Sequence, residues 1–200
     1  MRSKGFLGIL VVILLVGFVG CAGCGTYNGL VAQDERVEKS WADVEAQYQR
    51  RADLIPNLVT TVRATANFEQ ETLESVTNAR TRATSINISA DDLGDVEKMT
   101  EFMAAQEQLS QSLGRLIAVA EAYPQLTATE AFRDLQAQLE GTENRIATAR
   151  RDYNNAVRSY NTVTRSFPSN IIAGIFNFDR RQPFEADAGS EKAPAVELDA

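Results

Sequence analysis

No histidine occurs anywhere in the 200 residues. The commonest general acid/base and the commonest neutral metal ligand are therefore absent. Neither a Ser-His-Asp nor a Cys-His catalytic arrangement can be assembled. Cysteine is almost as scarce: the two present, Cys21 and Cys24, both lie at the end of an N-terminal apolar run. The rest of the chain has no thiol for a structural zinc site, an internal disulfide or a nucleophile. No cofactor, metal site or catalytic residue is expected, and the chain reads as a non-enzyme. Basic residues are outnumbered, 20 against 27 acidic, for a formal charge of −7. Without Arg2 and Lys4 the balance is 18 against 27, or −9. Such a surface repels phosphate backbones, so nucleic acid is not an expected partner.

The first notable presence is the apolar run itself. Arg2 and Lys4 precede a stretch from Gly5 to Gln33 with no charged side chain, and its apolar heart runs from Phe6 to Gly20. A membrane-spanning helix needs roughly 20 such residues, and Gly5 to Gly23 supplies 19. Positive charge stays on the cytoplasmic side, which predicts a single pass with the N-terminus inside and the bulk of the chain outside. Two readings of residues 1–26 stand open. One is an uncleaved signal-anchor; the other is a signal peptide cut before Cys21 or Cys24, each a lipidation candidate because each follows a glycine. Phe18 and Cys21 are poor residues three positions before the respective cuts. Both readings leave the protein on membrane lipid.

From Tyr27 to Phe167 apolar residues recur at three- and four-residue steps, with no comparable alternating segment. The predicted class is all-α: an elongated, antiparallel, up-down-up-down four-helix bundle over residues 27–184, behind the N-terminal anchor helix. Asp53 can cap a second helix, with Pro56 in its first turn. The alternative is one long helix running on through Pro56 with a lost hydrogen bond; the break is the preferred reading. Polar Thr84 to Asp91 reads as a loop with Ser89 as a cap, and Tyr123-Pro124 ends the third helix. Thr127 and Glu130 have capping-box spacing, and Pro168 closes the fourth helix. Gly114 and Gly141, inside helices, suggest close helix approach. A break at Asp53 pairs residues of helices one and four whose numbers sum to about 180. Trp41 is then the core anchor, opposite Leu139 with Leu135 one turn away. Ile171, Ile172, Ile175, Phe176 and Phe178 form the most apolar patch of the bundle. Helix parity puts that patch at the end where the chain leaves the membrane, either covering the base or lying in the bilayer interface with Arg180 and Arg181 at head-group level. Residues 185–200 read as an acidic disordered tail.

Several blocks together resemble one family. They are Tyr27-Asn28-Gly29-Leu30-Val31, then Val37 and Trp41, then Arg50 to Val59, then Glu71-Thr72-Leu73 and Ala79-Arg80, then Ala118 to Pro124, then Thr142 to Ile146 and Ala149 to Asn154 with Tyr160-Asn161, Pro168 and Phe184-Glu185. In this order they resemble the LemA family over roughly residues 27 to 186. The resemblance implies a bacterial envelope protein with an N-terminal membrane helix and an extracytoplasmic helical bundle, and implies no enzyme activity, cofactor or catalytic residue.

The charged residues Arg50, Arg51, Asp53, Glu140, Glu143, Arg145, Arg150, Arg151 and Asp152 read mainly as register and solubility devices, with cross-helix pairs of Arg36 or Lys39 to Glu140 or Glu143. Tyr27-Asn28, Tyr153-Asn154 and Tyr160-Asn161 read as seam tyrosines with hydroxyls tipped to water. The expected function is a non-catalytic scaffold that meets another envelope protein. The alternatives are a membrane-organising protein acting through residues 171–178 and, less favoured, a carboxylate-only enzyme.

Overall fold

The structure, a computed structural model, describes residues 2–64 and 68–185, with side chains from residue 23 onward. The apolar run with Cys21, and the acidic stretch beyond Glu185, lie outside these described side chains. The fold is all-helical: α1 Arg2–Arg63, α2 Gln70–Ser85, a 3-10 turn Ala90–Gly94, α3 Val96–Ala120, α4 Pro124–Thr127, α5 Glu130–Arg165 and α6 Ser169–Ile175. Among the described residues no helix is long and apolar enough to cross a membrane.

The expected break at Asp53 does not occur, and α1 runs through Pro56 to Arg63. A proline inside a helix strands the carbonyl four residues back, here that of Ala52. Arg80, on α2, donates its Nε to that carbonyl at 2.8 Å. The vacated bond is thus replaced from a neighbouring helix, and Pro56 itself faces solvent.

Continuing α1 to Arg63 shifts its register against α5. Trp41 meets Tyr153 and Arg51 meets Glu143, so antiparallel partners sum to about 194 rather than the expected 180 or so. The Trp41–Leu139 pairing is therefore corrected. Trp41 belongs to one apolar cluster, with Val44, Phe102 and Tyr153, while Leu139 belongs to another, with Leu135 packed against it. The expected Arg36 or Lys39 pairs with Glu140 or Glu143 fall to the same shift.

The two clusters divide the bundle along its length. The one toward Tyr123 draws on all four long helices, through residues such as Leu58, Val76, Leu113 and Phe132. The one toward Tyr27 draws on α1, α3 and α5 only, because α2 has already ended at Ser85. There the fourth wall is non-helical: Ile88 and Leu93 from the loop and 3-10 turn, and Phe184 from an extended strap that follows α6. A four-helix bundle thus describes the Tyr123 half, and three helices closed by loop and strap describe the other.

Capping explains the boundaries. Asp95 accepts from the amides of Glu97 and Lys98 to start α3. Ser89 and Asp92 form the capping box of the 3-10 turn, and Lys98 pairs with Asp92. Thr129, not Thr127, caps α5, its Oγ1 accepting from the Phe132 amide at 3.3 Å. Gly114 and Gly141 do not mark close approach, since a Cβ at either would meet nothing within 4 Å.

Candidate functional site

Two polar centres interrupt the apolar interior. The first sits between the two clusters. Arg51 follows Tyr48 by three residues on α1, so it shares the buried face, and its side chain is 1% exposed. Its guanidinium donates to Glu143 Oε1 on α5 at 2.8 Å, to Ser110 Oγ on α3 at 2.8 Å, and to Gln106 Oε1 at 2.6 Å. Gln106 in turn donates to the Ala83 carbonyl near the end of α2 at 3.3 Å. One arginine thereby links all four long helices. The Arg51–Glu143 pair crosses from α1 to α5, as a register device would, but the Arg51 end of it is buried rather than at the solubilising surface. A cleft of about 260 Å³ opens onto it, lined by Tyr48, Met103, Glu107, Glu143, Arg150 and Glu185 among others.

The second centre clamps the strap. After α6 the chain turns at Asn177, whose φ of 55° is the left-handed conformation asparagine tolerates. Residues 179–185 then run back along α5. The Asn161 side chain accepts from the Arg181 amide at 3.0 Å and donates to its carbonyl at 2.9 Å. Asn154 accepts from the Phe184 amide at 2.8 Å and donates to its carbonyl at 3.0 Å. Seven residues of helix rise about 10 Å and three of extended chain about the same, so the two clamps are in step.

Side chains complete the lock. Arg181 forks onto the Asp34 carboxylate at 3.0 and 3.1 Å and donates to the Ala90 carbonyl at 3.2 Å. Phe184 inserts beside Trp41 and Tyr153, with ring centroids 5.9 and 5.4 Å away. The Tyr153 hydroxyl donates to the Gln182 carbonyl at 2.9 Å rather than tipping to water. Burial holds the Tyr153 phenol well above its ordinary range and pushes that of Tyr160 up to about 12, the Asp34 carboxylate adding to the latter. Arg181 is therefore turned into the bundle wall, its side chain 13% exposed.

The sequence-predicted residues are distributed as follows. Trp41 is buried and its indole donates to the Ile88 carbonyl at 3.3 Å. Leu139 is buried and Leu135 partly so, in the other cluster. Cys24 is exposed and free, while Cys21 is outside the described side chains. Phe176 and Phe178 lie against Tyr27, at centroid separations of 4.8 and 5.7 Å, and Ile171, Ile175 and Phe176 remain exposed. Sequence reasoning missed Gln106, Ser110, Asp34 and the strap. The one signal for the strap was the repeat of Tyr-Asn at seven-residue spacing on α5. Among the described residues no group of three or more acidic or cysteine side chains is placed to hold a metal.

Comparison with known proteins adds independent findings. The profile described as LemA family matches residues 40–198. Magnetosome protein MamQ 2 and Magnetosome protein MamQ 1 of Paramagnetospirillum magneticum are each 28% identical over 195 residues, covering 90% of this chain and 71% of theirs. Protein LemA of Metamycoplasma hominis is 26% identical over 168 residues, covering 84% of this chain and 73% of its own.

Proposed function

The chain belongs to the LemA family, and from that premise we propose that it is a membrane-associated protein of the bacterial envelope acting as a non-catalytic scaffold. Residues 1–26 hold it to the membrane with the N-terminus inside, and the bundle stands outside and meets another envelope protein. The magnetosome names of two relatives support the membrane part of this reading. One observation carries the scaffold part: both polar centres use their charged groups to hold backbone and helices together. Arg51 is neutralised by Glu143 and Arg181 by Asp34. Each buried guanidinium is bound both to a carboxylate and to groups on other elements, the arrangement of a structural link.

Affinity isolation of the full chain from its host membranes in mild detergent, with protein and lipid both quantified, tests the proposal. A stoichiometric protein partner is the expected result. Recovery with lipid alone would remove the scaffold reading and leave the membrane-organising one. Protease added outside intact cells stripped of their wall should reach the bundle; protection would reverse the orientation.

A further inference from the structure

At the Tyr27 end, α5 finishes at Arg165 and α6 crosses back over α1. The crossing is close, since a Cβ at Gly23 would meet Ile172 Cδ1 at 3.9 Å. Around it the molecule leaves Phe167 81%, Ile171 54%, Ile175 65% and Phe176 55% exposed. Single exposed apolar residues are ordinary, but a contiguous group of this kind marks an interaction surface.

Beside that group lies an open cleft of about 630 Å³ between α5 and the strap, lined by Arg158, Arg165 and Arg180 with Thr162 and Ser166. Arg158 and Arg165 are two helical turns apart on one face. None of the three has a carboxylate partner among the described residues. In a chain of formal charge −7 this cleft is a local reversal of sign.

We propose that this end is a docking surface for an anionic bilayer, with lipid phosphates held by Arg165 and Arg180, while Phe167, Ile171, Ile175 and Phe176 lie in the interface. The inference rests on the membrane association proposed above. Whether the apolar run stays as an anchor or is cut away and replaced by a lipid on Cys21 or Cys24, the end of α1 next to these cysteines faces lipid. The α1–α5 register sets Arg165 level with Gly29, about 9 Å beyond Gly23 along the helix. The head-group layer is roughly 5–8 Å deep on each side, and the arginine stem spans the difference. Apolar side chains flanked by arginines are the composition that binds such an interface.

The test uses the full chain carrying Phe167→Trp, mixed with vesicles of phosphatidylcholine alone or with phosphatidylglycerol, both containing acyl-brominated lipid as a short-range quencher. Trp41, about 27 Å beyond Gly23, supplies an unquenched baseline in the parent chain. We expect quenching of the introduced indole several-fold stronger with phosphatidylglycerol, falling to the phosphatidylcholine level in an Arg165→Gln/Arg180→Gln variant that still floats with the vesicles. Flotation without quenching in either vesicle overturns the docking surface but spares membrane association. Equal quenching in both vesicles, unchanged by the arginine substitutions, overturns the phosphate assignment. Inorganic phosphate abolishing the phosphatidylglycerol effect would assign the cleft to a free anion and overturn the lipid source. No flotation at all overturns membrane association, and this inference with it.

Discussion

Arg51 and Glu143 form an unequal pair, 1% and 45% exposed. Removing the glutamate leaves a guanidinium in the interior with only neutral partners, whereas removing the arginine leaves a carboxylate that water can reach. Glu143→Ala is therefore expected to cost about 3 kcal/mol and Arg51→Met about 1 kcal/mol, because the penalty is the uncompensated buried charge. Urea denaturation of both variants checks the order, and a larger loss for Arg51→Met would contradict it. The buried phenols make an alkaline prediction. Folding raises the pKa of Tyr153 and Tyr160 above the ordinary 10.0. Their contribution is then fully present below pH 10 or so and is lost as pH rises toward the Tyr160 value of about 12. Phenolate absorbance and helical circular dichroism, followed together through that window, should change together. Ionisation of every tyrosine before any loss of helix would contradict the burial argument.

Among the elements, α1 and the strap show what local sequence carries and what it does not. Helical periodicity made α1, α3 and α5 legible, since apolar spacing is a property of neighbours along the chain. The continuation through Pro56 was not legible, because the donor that rescues Ala52 is on Arg80, 28 residues away. This coupling predicts non-additivity: Arg80→Ala should be less costly in a Pro56→Ala background by about 1 kcal/mol, measured as a double-mutant cycle. Additive effects would mean the Arg80 bond does not serve the proline. The strap was illegible for another reason. It has no periodicity, and its fork, Asp34 to Arg181, spans 147 residues. Phe184→Ala is expected to lose about 3 kcal/mol. Asn161→Ala should raise the hydrogen exchange of the Arg181 amide and expose the Arg180–Arg181 bonds to trypsin while the helices remain. If exchange there stays as slow as in α5, the asparagine clamp is not what holds the strap.

For the molecule as a whole, what holds it together is apolar burial in two clusters and polar links between helices, with no histidine and no cysteine beyond residue 24. Chelator and reductant should therefore leave the melting temperature within about 2 °C; a larger drop with either would reveal a crosslink or metal. Helix parity, which places Phe176 beside Tyr27 rather than Tyr123, could be read from the number of long helices alone. The register could not, because it depends on where α1 turns. The strap also has a mechanical corollary. It lies antiparallel to α5, with the Asn161 clamp, the Arg181 fork, the Asn154 clamp and the Phe184 plug spaced along its length. Tension applied beyond Glu185 and directed away from the Tyr27 end loads these attachments in shear, all sharing the force. The same tension directed outward from the flank meets them one at a time, Phe184 first. A protein tethered at one end and pulled at the other would then hold against an axial load and let go under a lateral one.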